Sequence, residues 1–428
     1  MAKEIISKRT YSSKTYDLGN GKRLLKVWGG DVHYKDDYTD ASEQWKDIDL
    51  TWQGNKISKA PYELTLEGNK ITFRDKKTGK ISFIELLEIG SKSISEQTWE
   101  YSKGIATIKN MALDTDLEIV ATDTGIRFTR VLKSDKAPLE AKYKITGTIP
   151  FRVSARDEED ELKVESEIID GVLTEKLGKV DRVIKYPVRI DPDFTGSTAD
   201  GYVAGGSTIY ATARSTATTY STGGTTFTCG QVFFSPNYIN YRGFLKFDTS
   251  GIGPGQNILQ DNLNMTVQQD NSAADFDVQI VKQDWSAQDP IETATREAAY
   301  DNCLAGTEDD SIWRNTDGIA VNTNYTSGNL DVTWVEPEGN TYYSLRSSRD
   351  LNADEPTAKE YIVLYSQENA TAAYRPYLTI LYEAAAPPSP NFTNRNNYNG
   401  YLAFIQQYMK HKVNETTPWK NPDGTLID

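Results

Sequence analysis

Residues 241–267 read "YRGFLKFDTSGIGPGQNILQDNLNMTV". Apolar residues alternate with other residues on both sides of a short segment of glycine and proline, at positions 253–255. A period of two gives a β-strand one inward and one outward face, and glycine with proline marks a turn. The stretch therefore predicts a β-hairpin that packs one face against a core. Arg242 stands among aromatic and apolar residues at the start of the first strand, where a charge requires an explanation.

The same pattern extends over most of the 428 residues. Residues 62–90, "YELTLEGNKITFRDKKTGKISFIELLEIG", alternate in three runs that two turn segments separate. Short strands at regular spacing favour sandwiches of antiparallel sheets, and a chain of this length exceeds one ordinary core. We predict an all-β fold with two β-sandwich, jelly-roll-like domains and a short C-terminal helix.

Changes in composition predict the domain boundaries. After residue 195 the chain becomes rich in Thr, Ser, Gly and Tyr, and between Asp200 and Arg242 the only charged residue is Arg214. We predict a β-rich leader domain over 1–195, a second β-sandwich over 196–384, and a proline-rich linker with a docking helix over 385–428. An isolated short helix is marginal in water and needs a partner. Its predicted docking face consists of Tyr401, Leu402, Phe404, Ile405, Tyr408 and Met409.

The charge balance excludes several classes of partner. The formal net charge is -14, from 47 basic and 61 acidic residues. Nucleic-acid binding requires a basic surface, and anionic lipid attracts basic segments, so neither partner is expected. No apolar run is long enough to span a bilayer, and "MAKEIISKRTYSSK" lacks a signal-type apolar segment. We therefore expect synthesis in the cytosol without export.

Few residues offer catalytic chemistry. The two histidines, His33 and His411, lie near no nucleophile motif, and no phosphate-binding loop or zinc motif occurs. We predict a protein that is not an enzyme and has no cofactor. Calcium at "DLNADEP", residues 350–356, and paired carboxylates for glycoside hydrolysis both remain open. Cys229 and Cys303 form either one disulfide or two buried free thiols.

Aromatic side chains supply the candidate ligand-binding residues. Sugar rings stack on indole and phenol rings, whereas core packing is the alternative role for each of them. The candidates in the second domain are Trp285, Trp313, Trp334, Tyr342 and Tyr343.

Residues 241–383 resemble the DNRLRE family, a β-sandwich module related to carbohydrate-binding modules. The similarity rests on "RGFLKFDTSGI" at 242–252, "ILQDNL" at 258–263 and "YSQENATAAYRPYLTILY" at 365–382. The chain departs from the family pattern at Gln367, where the family has arginine. The resemblance implies a sandwich in which Arg242, Asp248 and Arg375 are structural. An arginine has five donors for carboxylates and carbonyls, so we expect Arg242 and Asp248 to form a buried pair or network, with ligand contact as the alternative.

A weaker resemblance covers "GGDVHYKDDYTDASEQWKDIDLTW" at 29–52 and "YPVRIDPDF" at 186–194. These segments are similar to ones that precede the module in cell-surface and wall-associated proteins. They favour a β-rich leader domain followed by the module.

The chain resembles modules that are found outside cells, yet its sequence shows neither an export signal nor a catalytic motif. This combination favours a surface structural protein of a bacteriophage particle. A capsid decoration, head fibre or tail appendage fits this combination. The expected partners are other virion proteins, further copies of the chain and host surface polysaccharide. The alternatives are a carbohydrate-binding protein of the bacterial cell surface and, less favoured, a polysaccharide lyase or hydrolase.

Overall fold

A computed structural model describes residues 2–94, 98–147, 152–157, 161–179, 182–195, 200–222, 224–305, 310–369 and 371–384. The predicted all-β class is confirmed, because antiparallel sheets form most of this part of the chain. Residues Met1–Glu383 form one compact unit. The predicted docking face from Tyr401 to Met409 and His411 lie outside the described residues.

The strands of the N-terminal half are short. In chain order they are β1 Lys3–Glu4, β2 Ser13–Gly19, β3 Lys22–Trp28, β4 His33–Tyr34, β5 Lys46–Asp47, β6 Lys56–Ile57, β7 Tyr62–Glu67, β8 Lys70–Asp75, β9 Ile81–Ile89, β10 Lys92–Ser93, β11 Glu100–Ser102, β12 Ile105–Ala112, β13 Thr115–Ala121, β14 Gly125–Leu132, β15 Glu140–Thr146, β16 Arg152–Arg156, β17 Glu161–Leu162, β18 Val164–Ile169, β19 Val172–Leu177 and β20 Val188–Thr195.

The C-terminal half has longer strands and the α-helices. The strands are β21 Asp200–Ser207, β22 Thr219–Thr222, β23 Thr226–Phe234, β24 Asn237–Asp248, β25 Gln256–Ser272, β26 Asp277–Lys282, β27 Asp310–Asn315, β28 Asn324–Thr326, β29 Asn340–Ser347, β30 Lys359–Tyr365 and β31 Tyr377–Ala384. The helices are α1 Tyr210–Ser215, α2 Arg296–Ala305 and α3 Ser348–Asn352, with 3-10 turns at Ile6–Lys8, Ser286–Gln288, Val332–Trp334 and Ala372–Tyr374. Among the described helices, none combines the length and the hydropathy that crossing a membrane requires.

The first sandwich consists of two antiparallel sheets. One has the order β18-β19-β15-β9-β8-β7-β6, with β10 beside β9, and the other has the order β11-β12-β13-β14-β20-β16-β17. Leu64 and Ile84 of the first sheet belong to the same buried cluster as Leu117 and Phe128 of the second. Every second side chain of a strand points into this core. Along β13, for example, Leu117 and Ile119 point inward and Glu118 lies on the opposite face.

The second sandwich is built from one extended sheet with the order β1-β2-β3-β31-β25-β30-β23-β24-β29-β26-β27; within the described residues, β21, β22 and β28 pair alongside. The long strand β25 links two parts of it, since it pairs with β28 at Asn264–Thr266 and with β30 from Val267 onward. Leu25 and Ile380 from one part share a buried cluster with Phe227 and Ile362 from the other. The hairpin predicted from residues 241–267 does not form, although both of its strands do: β24 pairs with β21, β23 and β29, whereas β25 lies between β31 and β30 and also pairs with β28.

The first strands of the chain belong to the second sandwich. Strand β3 pairs with the last strand, β31, from Lys22 opposite Glu383 to Trp28 opposite Tyr377. This pairing differs from the predicted leader domain over 1–195, because Leu25 and Val27 complete the core of the second sandwich. The pairing with β3 also covers the edge of β31, whose backbone groups would otherwise be unpaired.

A buried polar junction joins the two sandwiches. Asp123, in the turn between β13 and β14, lies 3.1 Å from the guanidinium of Arg375, which precedes β31. The backbone N–H of Gln367 donates to the carboxylate of Asp200 at 2.7 Å. Burial raises the pKa of Asp123 to about 7, although Arg375 acts to lower it. Burial and the nearby carboxylate of Glu368 raise the pKa of Asp200 well above its ordinary range.

Candidate functional site

The structure buries most of the predicted aromatic platform. Trp285, Trp313, Trp334 and Tyr343 are nearly inaccessible to solvent. Trp285 packs edge-on against Tyr342 and its indole N–H donates to the carbonyl oxygen of Tyr343 at 3.2 Å. Tyr342 is half-buried, and its hydroxyl donates to Asp289. These five side chains therefore act in packing and present no row of open rings on which a sugar could stack.

Arg242 is a structural residue, but its partner differs from the predicted one. Its guanidinium is fully buried and binds the carboxylate of Asp350 at 2.8 and 3.1 Å. It also donates to the carbonyl oxygens of Tyr300 at 2.7 Å and Arg214 at 2.9 Å, and lies over the ring of Tyr300. Burial acts to raise the pKa of Asp350, but Arg242 outweighs it and the pKa is lowered. The pair thus stays ionised inside the protein.

The carbonyl groups at the end of α2 explain why two arginines are buried here. The last carbonyls of an α-helix have no partner within the helix and carry partial negative charge. Arg346 of β29 binds the carbonyl oxygens of Cys303 and Leu304 in this last turn, both at 3.0 Å, and Arg242 binds that of Tyr300, one turn earlier in the helix. The arginines on the strands therefore hold α2 against the sheet.

Asp248 has a different role from the one expected. Its carboxylate accepts the backbone N–H of Ser250 at 3.1 Å and the hydroxyl of the same residue. It stabilises the turn that follows β24, whereas Arg242 pairs with Asp350. Arg375 is almost fully buried and, besides Asp123, binds the carbonyl oxygen of Asn369 at 2.7 Å, which supports its predicted structural role.

The structure also locates the cysteines, the calcium candidate and one histidine. Cys229 and Cys303 are free and buried, so they do not form a disulfide. Asp350, the first carboxylate of the calcium candidate, is engaged by Arg242 and Arg214. Within the described residues, no group of three or more His, Cys, Asp or Glu side chains is arranged to hold a metal ion. His33 is buried, its Nδ1 lies 2.6 Å from the carbonyl oxygen of Thr10, and burial lowers its pKa to about 4.

A polar sheet face forms a site that the sequence analysis did not identify. On one face of β14, β16 and β20, the side chains of Phe128, Ala155 and Ile190 belong to buried clusters, whereas residues of the opposite face, among them Thr129, Ser154 and Asp191, line a pocket. The register places Ser154 opposite Asp191 and Arg156 opposite Arg189. Because side chains at paired positions point to the same face, these four side chains lie together.

This face forms one wall of a pocket of about 220 Å³ that we call the arginine pocket. The wall contributes the guanidinium groups of Arg127, Arg156 and Arg189, one carboxylate, Asp191, and the side chains of Val120, Thr129 and Ser154. Residues 221 and 224–226, at the start of the second sandwich, supply the other wall with Ser221, Thr225 and Thr226. The pocket therefore lies between the two sandwiches, and most of its described lining residues are polar.

The charges in the arginine pocket are only partly compensated. Arg189 binds Glu118 at 2.8 Å, and Asp191 accepts the hydroxyl of Thr129. Arg156 is exposed, and within the described part of the chain no hydrogen bond or ion pair engages its guanidinium. Like charges directly opposite each other on neighbouring strands are destabilising. The Arg156–Arg189 pair consequently favours an anion between the two side chains.

Two stacked tyrosines lie beside the pocket. Tyr365 pairs in register with Thr226, and its ring stacks on Tyr374 with centroids 4.7 Å apart. Arg156 is close enough to interact with the phenol of Tyr365, whose pKa is raised mainly by burial and lowered in part by this arginine. The arrangement of guanidinium, hydroxyl and phenol groups is suited to binding a polar anionic ligand.

The sequence contained one signal for this site. In "GIRFTRVL" at 125–132, Arg127 and Thr129 alternate with apolar residues as an exposed polar face would, yet every residue of β14 is buried. The polar alternation is visible in the sequence. The covering segment at residues 221–226 is not, because it comes from about a hundred residues further along the chain.

The comparisons with known proteins assign no relative. No family model matches the chain, and no curated protein matches it either. Among solved structures, the chain is similar to one described as "Structure of PNGF-II in C2 space group", with 9% identity and a TM-score of 0.12 over 90% of this chain. The chain spans 66% of the length of that structure, less than two thirds. A score this low supports no statement about the fold or the function of this chain.

Proposed function

We propose that this chain is a non-enzymatic surface structural protein of a bacteriophage particle, either a capsid decoration, a head fibre or a tail appendage. The DNRLRE-like module and the wall-associated leader segments supply the analogy with proteins that face the environment. β-Sandwich and jelly-roll architectures serve this role in many capsid and lectin domains, although a fold alone does not determine function.

The observation that carries the non-enzymatic part of the proposal is the chemistry of the arginine pocket. Its described lining holds three guanidinium groups but one carboxylate, and that carboxylate accepts a bond from Thr129. Glycoside hydrolysis ordinarily requires two carboxyl groups across the scissile bond. The deeply buried ionic groups Arg242 and Arg130 are engaged in structural pairs with Asp350 and Glu175. The polar groups thus suit recognition and architecture rather than turnover.

Attachment to the particle is assigned to the segment after residue 384. Residues Met1–Glu383 form one compact unit without the segment that follows. Removal of 385–428 leaves every strand of the described sheets complete through Ala384. The truncated chain should therefore fold but fail to enter particles.

The test is quantification of the chain in gradient-purified particles by mass spectrometry. We expect a fixed copy number that matches a symmetric arrangement, and loss of the chain from particles when 385–428 are deleted. A full-length variant with both Phe404→Ser and Ile405→Ser is the matched control for chain length. It keeps every residue of the segment but removes part of the predicted docking face, so it should also fail to enter particles. Absence of the intact chain from particles would refute the proposal, and normal incorporation of the truncation would refute the docking assignment alone.

A second candidate is a carbohydrate-binding protein of the bacterial cell surface, and the arginine pocket favours it. In that case the chain should fractionate with the cell envelope and not with particles. A polysaccharide affinity gel should retard it in either case, so fractionation is the decisive comparison.

A further inference from the structure

We propose that the arginine pocket binds one acidic sugar unit of a polysaccharide, with the anionic group of that unit between Arg156 and Arg189. The proposal deepens the proposed function, on whose recognition of a surface glycan it rests, by naming the ligand class and the residues that select it.

The charge of the pocket selects an anion. The protein as a whole carries a formal net charge of -14, yet the described lining of this pocket contains Arg127, Arg156 and Arg189 but one carboxylate. Of these arginines, Arg189 pairs with the carboxylate of Glu118 at 2.8 Å, and Arg127 is also engaged. A planar guanidinium matches the two oxygens of a carboxylate or the oxygens of a sulfate. Arg156 and Arg189 face each other from neighbouring strands, and Arg156 has no protein partner among the described residues. The unpaired guanidinium is the group that a ligand anion would satisfy.

The volume and the remaining lining select a sugar rather than a simple oxyanion. A volume of 220 Å³ far exceeds the roughly 10–15 Å³ that one water molecule requires on the same measure, so the pocket has room for a ligand larger than a small ion. It also falls below the range of about 300–1,000 Å³ that holds drug-sized ligands. One monosaccharide unit fits between these limits. Hydroxyl groups of Ser154, Thr225 and Thr226 and the carboxylate of Asp191 line the pocket and can exchange hydrogen bonds with sugar hydroxyls.

Both sandwiches contribute groups to the arginine pocket, which favours a specific binding site. Arg156, Arg189 and Asp191 come from the first sandwich, whereas Thr225 and Thr226 come from the second. A bound unit would contact both walls, so its affinity depends on groups that the fold already holds in place. Preorganised groups lose less entropy on binding. The rings of Tyr365 and Tyr374 lie beside this opening and extend the polar surface along which a chain of sugars could continue.

The test uses the full-length protein and saturation-transfer NMR with a panel of probes. The acidic probes are glucuronic, galacturonic and N-acetylneuraminic acid, the neutral probes are glucose, galactose and N-acetylglucosamine, and the third arm is inorganic phosphate. We expect at least one acidic sugar to bind while its neutral counterparts do not, and phosphate to compete poorly. Binding of none of the acidic sugars at 10-millimolar concentrations (about the weakest range that specific sites show), or equal binding of phosphate, would overturn the proposal.

Two matched variants locate the binding. Arg156→Gln should weaken the acidic sugar about tenfold or more, because a hydrogen bond to a charged group is lost. Arg156 is exposed, so the variant should fold normally. Arg74→Gln makes the same change on β8, away from the pocket, and should leave the affinity unchanged. Equal loss in both variants, or no loss in Arg156→Gln, would contradict the assignment. Failure of this test leaves presence in particles untouched, so the two proposals are refuted separately.

Discussion

Substitution of Asp350 by asparagine tests the structural account of Arg242 most sharply. The carboxylate of Asp350 is buried and receives Arg242 at 2.8 and 3.1 Å and Arg214 at 3.1 Å. Asparagine keeps the size of the side chain but removes its charge, which leaves the buried guanidinium of Arg242 without a counter-ion. Breaking a buried pair from one side costs about 3–5 kcal/mol. We expect the free energy of unfolding of the second sandwich to fall by about that amount.

Asp248→Asn is the matched control, since it makes the same chemical change six residues after Arg242 and removes the partner that the sequence suggested. Asp248 holds the turn at Ser250 and interacts with the hydroxyl of Tyr11, but it is not the partner of a buried charge, so its loss should cost about 0.5–1.5 kcal/mol. The assay is urea unfolding of each full-length variant, followed by tryptophan fluorescence, with Trp285 as a buried reporter near the pair. The account of Arg242 would be refuted by a loss below about 1 kcal/mol in Asp350→Asn, or by a larger loss in Asp248→Asn.

Three further predictions concern other buried groups. Glu175→Gln should destabilise the first sandwich by about 3–5 kcal/mol in the same urea assay, because Arg130 then loses its buried partner at 2.7 Å; an unchanged midpoint would contradict this. Burial raises the pKa of Asp123 from its ordinary value of 3.8 to about 7. The folded state therefore holds a proton that the unfolded state releases above about 4, so this group's contribution to stability is complete below that pH and is lost as the pH rises through about 7. Thermal melts should show this loss between about pH 4 and pH 7, the unfolded and folded values, and Asp123→Asn should flatten it; equal slopes in both proteins would be evidence against it. Burial also raises the pKa of the thiols of Cys229 and Cys303, so neither should react with a thiol reagent until denaturant is added, and rapid labelling of the native chain would show that the thiols are accessible.

The sequence was sufficient to predict the strands but not their distant partners. Alternating apolar residues and turn segments are local features, and the two strands predicted within 241–267 form as β24 and β25, but they pair with other strands and not with each other. The pairing of β3 with β31 joins residues that are separated by most of the chain. Any strand with one apolar face has the same local pattern. The pattern of β3 therefore does not specify the sheet edge with which this strand pairs.

The candidate site shows the same limit. The arginine beside the aromatics was recognised as structural, but its carboxylate lies 108 positions further along, and Asp248 was the only nearby choice. Tryptophans were proposed as a binding platform from residue type alone, whereas burial depends on which strands cover them. The arginine pocket requires two cross-strand registers and a covering segment from the second sandwich. The alternation of apolar residues along a single strand predicts neither the registers nor the covering segment.

A reconstruction of the native particle by electron cryo-microscopy tests the central claim most directly, because it shows whether the chain is a surface component and how it is attached. The account predicts density for two stacked β-sandwiches on the outside of the particle, repeated with the symmetry of the capsid or tail and joined to it through residues after 384. Particles whose symmetric surface has no density for these sandwiches, while the chain is recovered in soluble or envelope fractions, would contradict it.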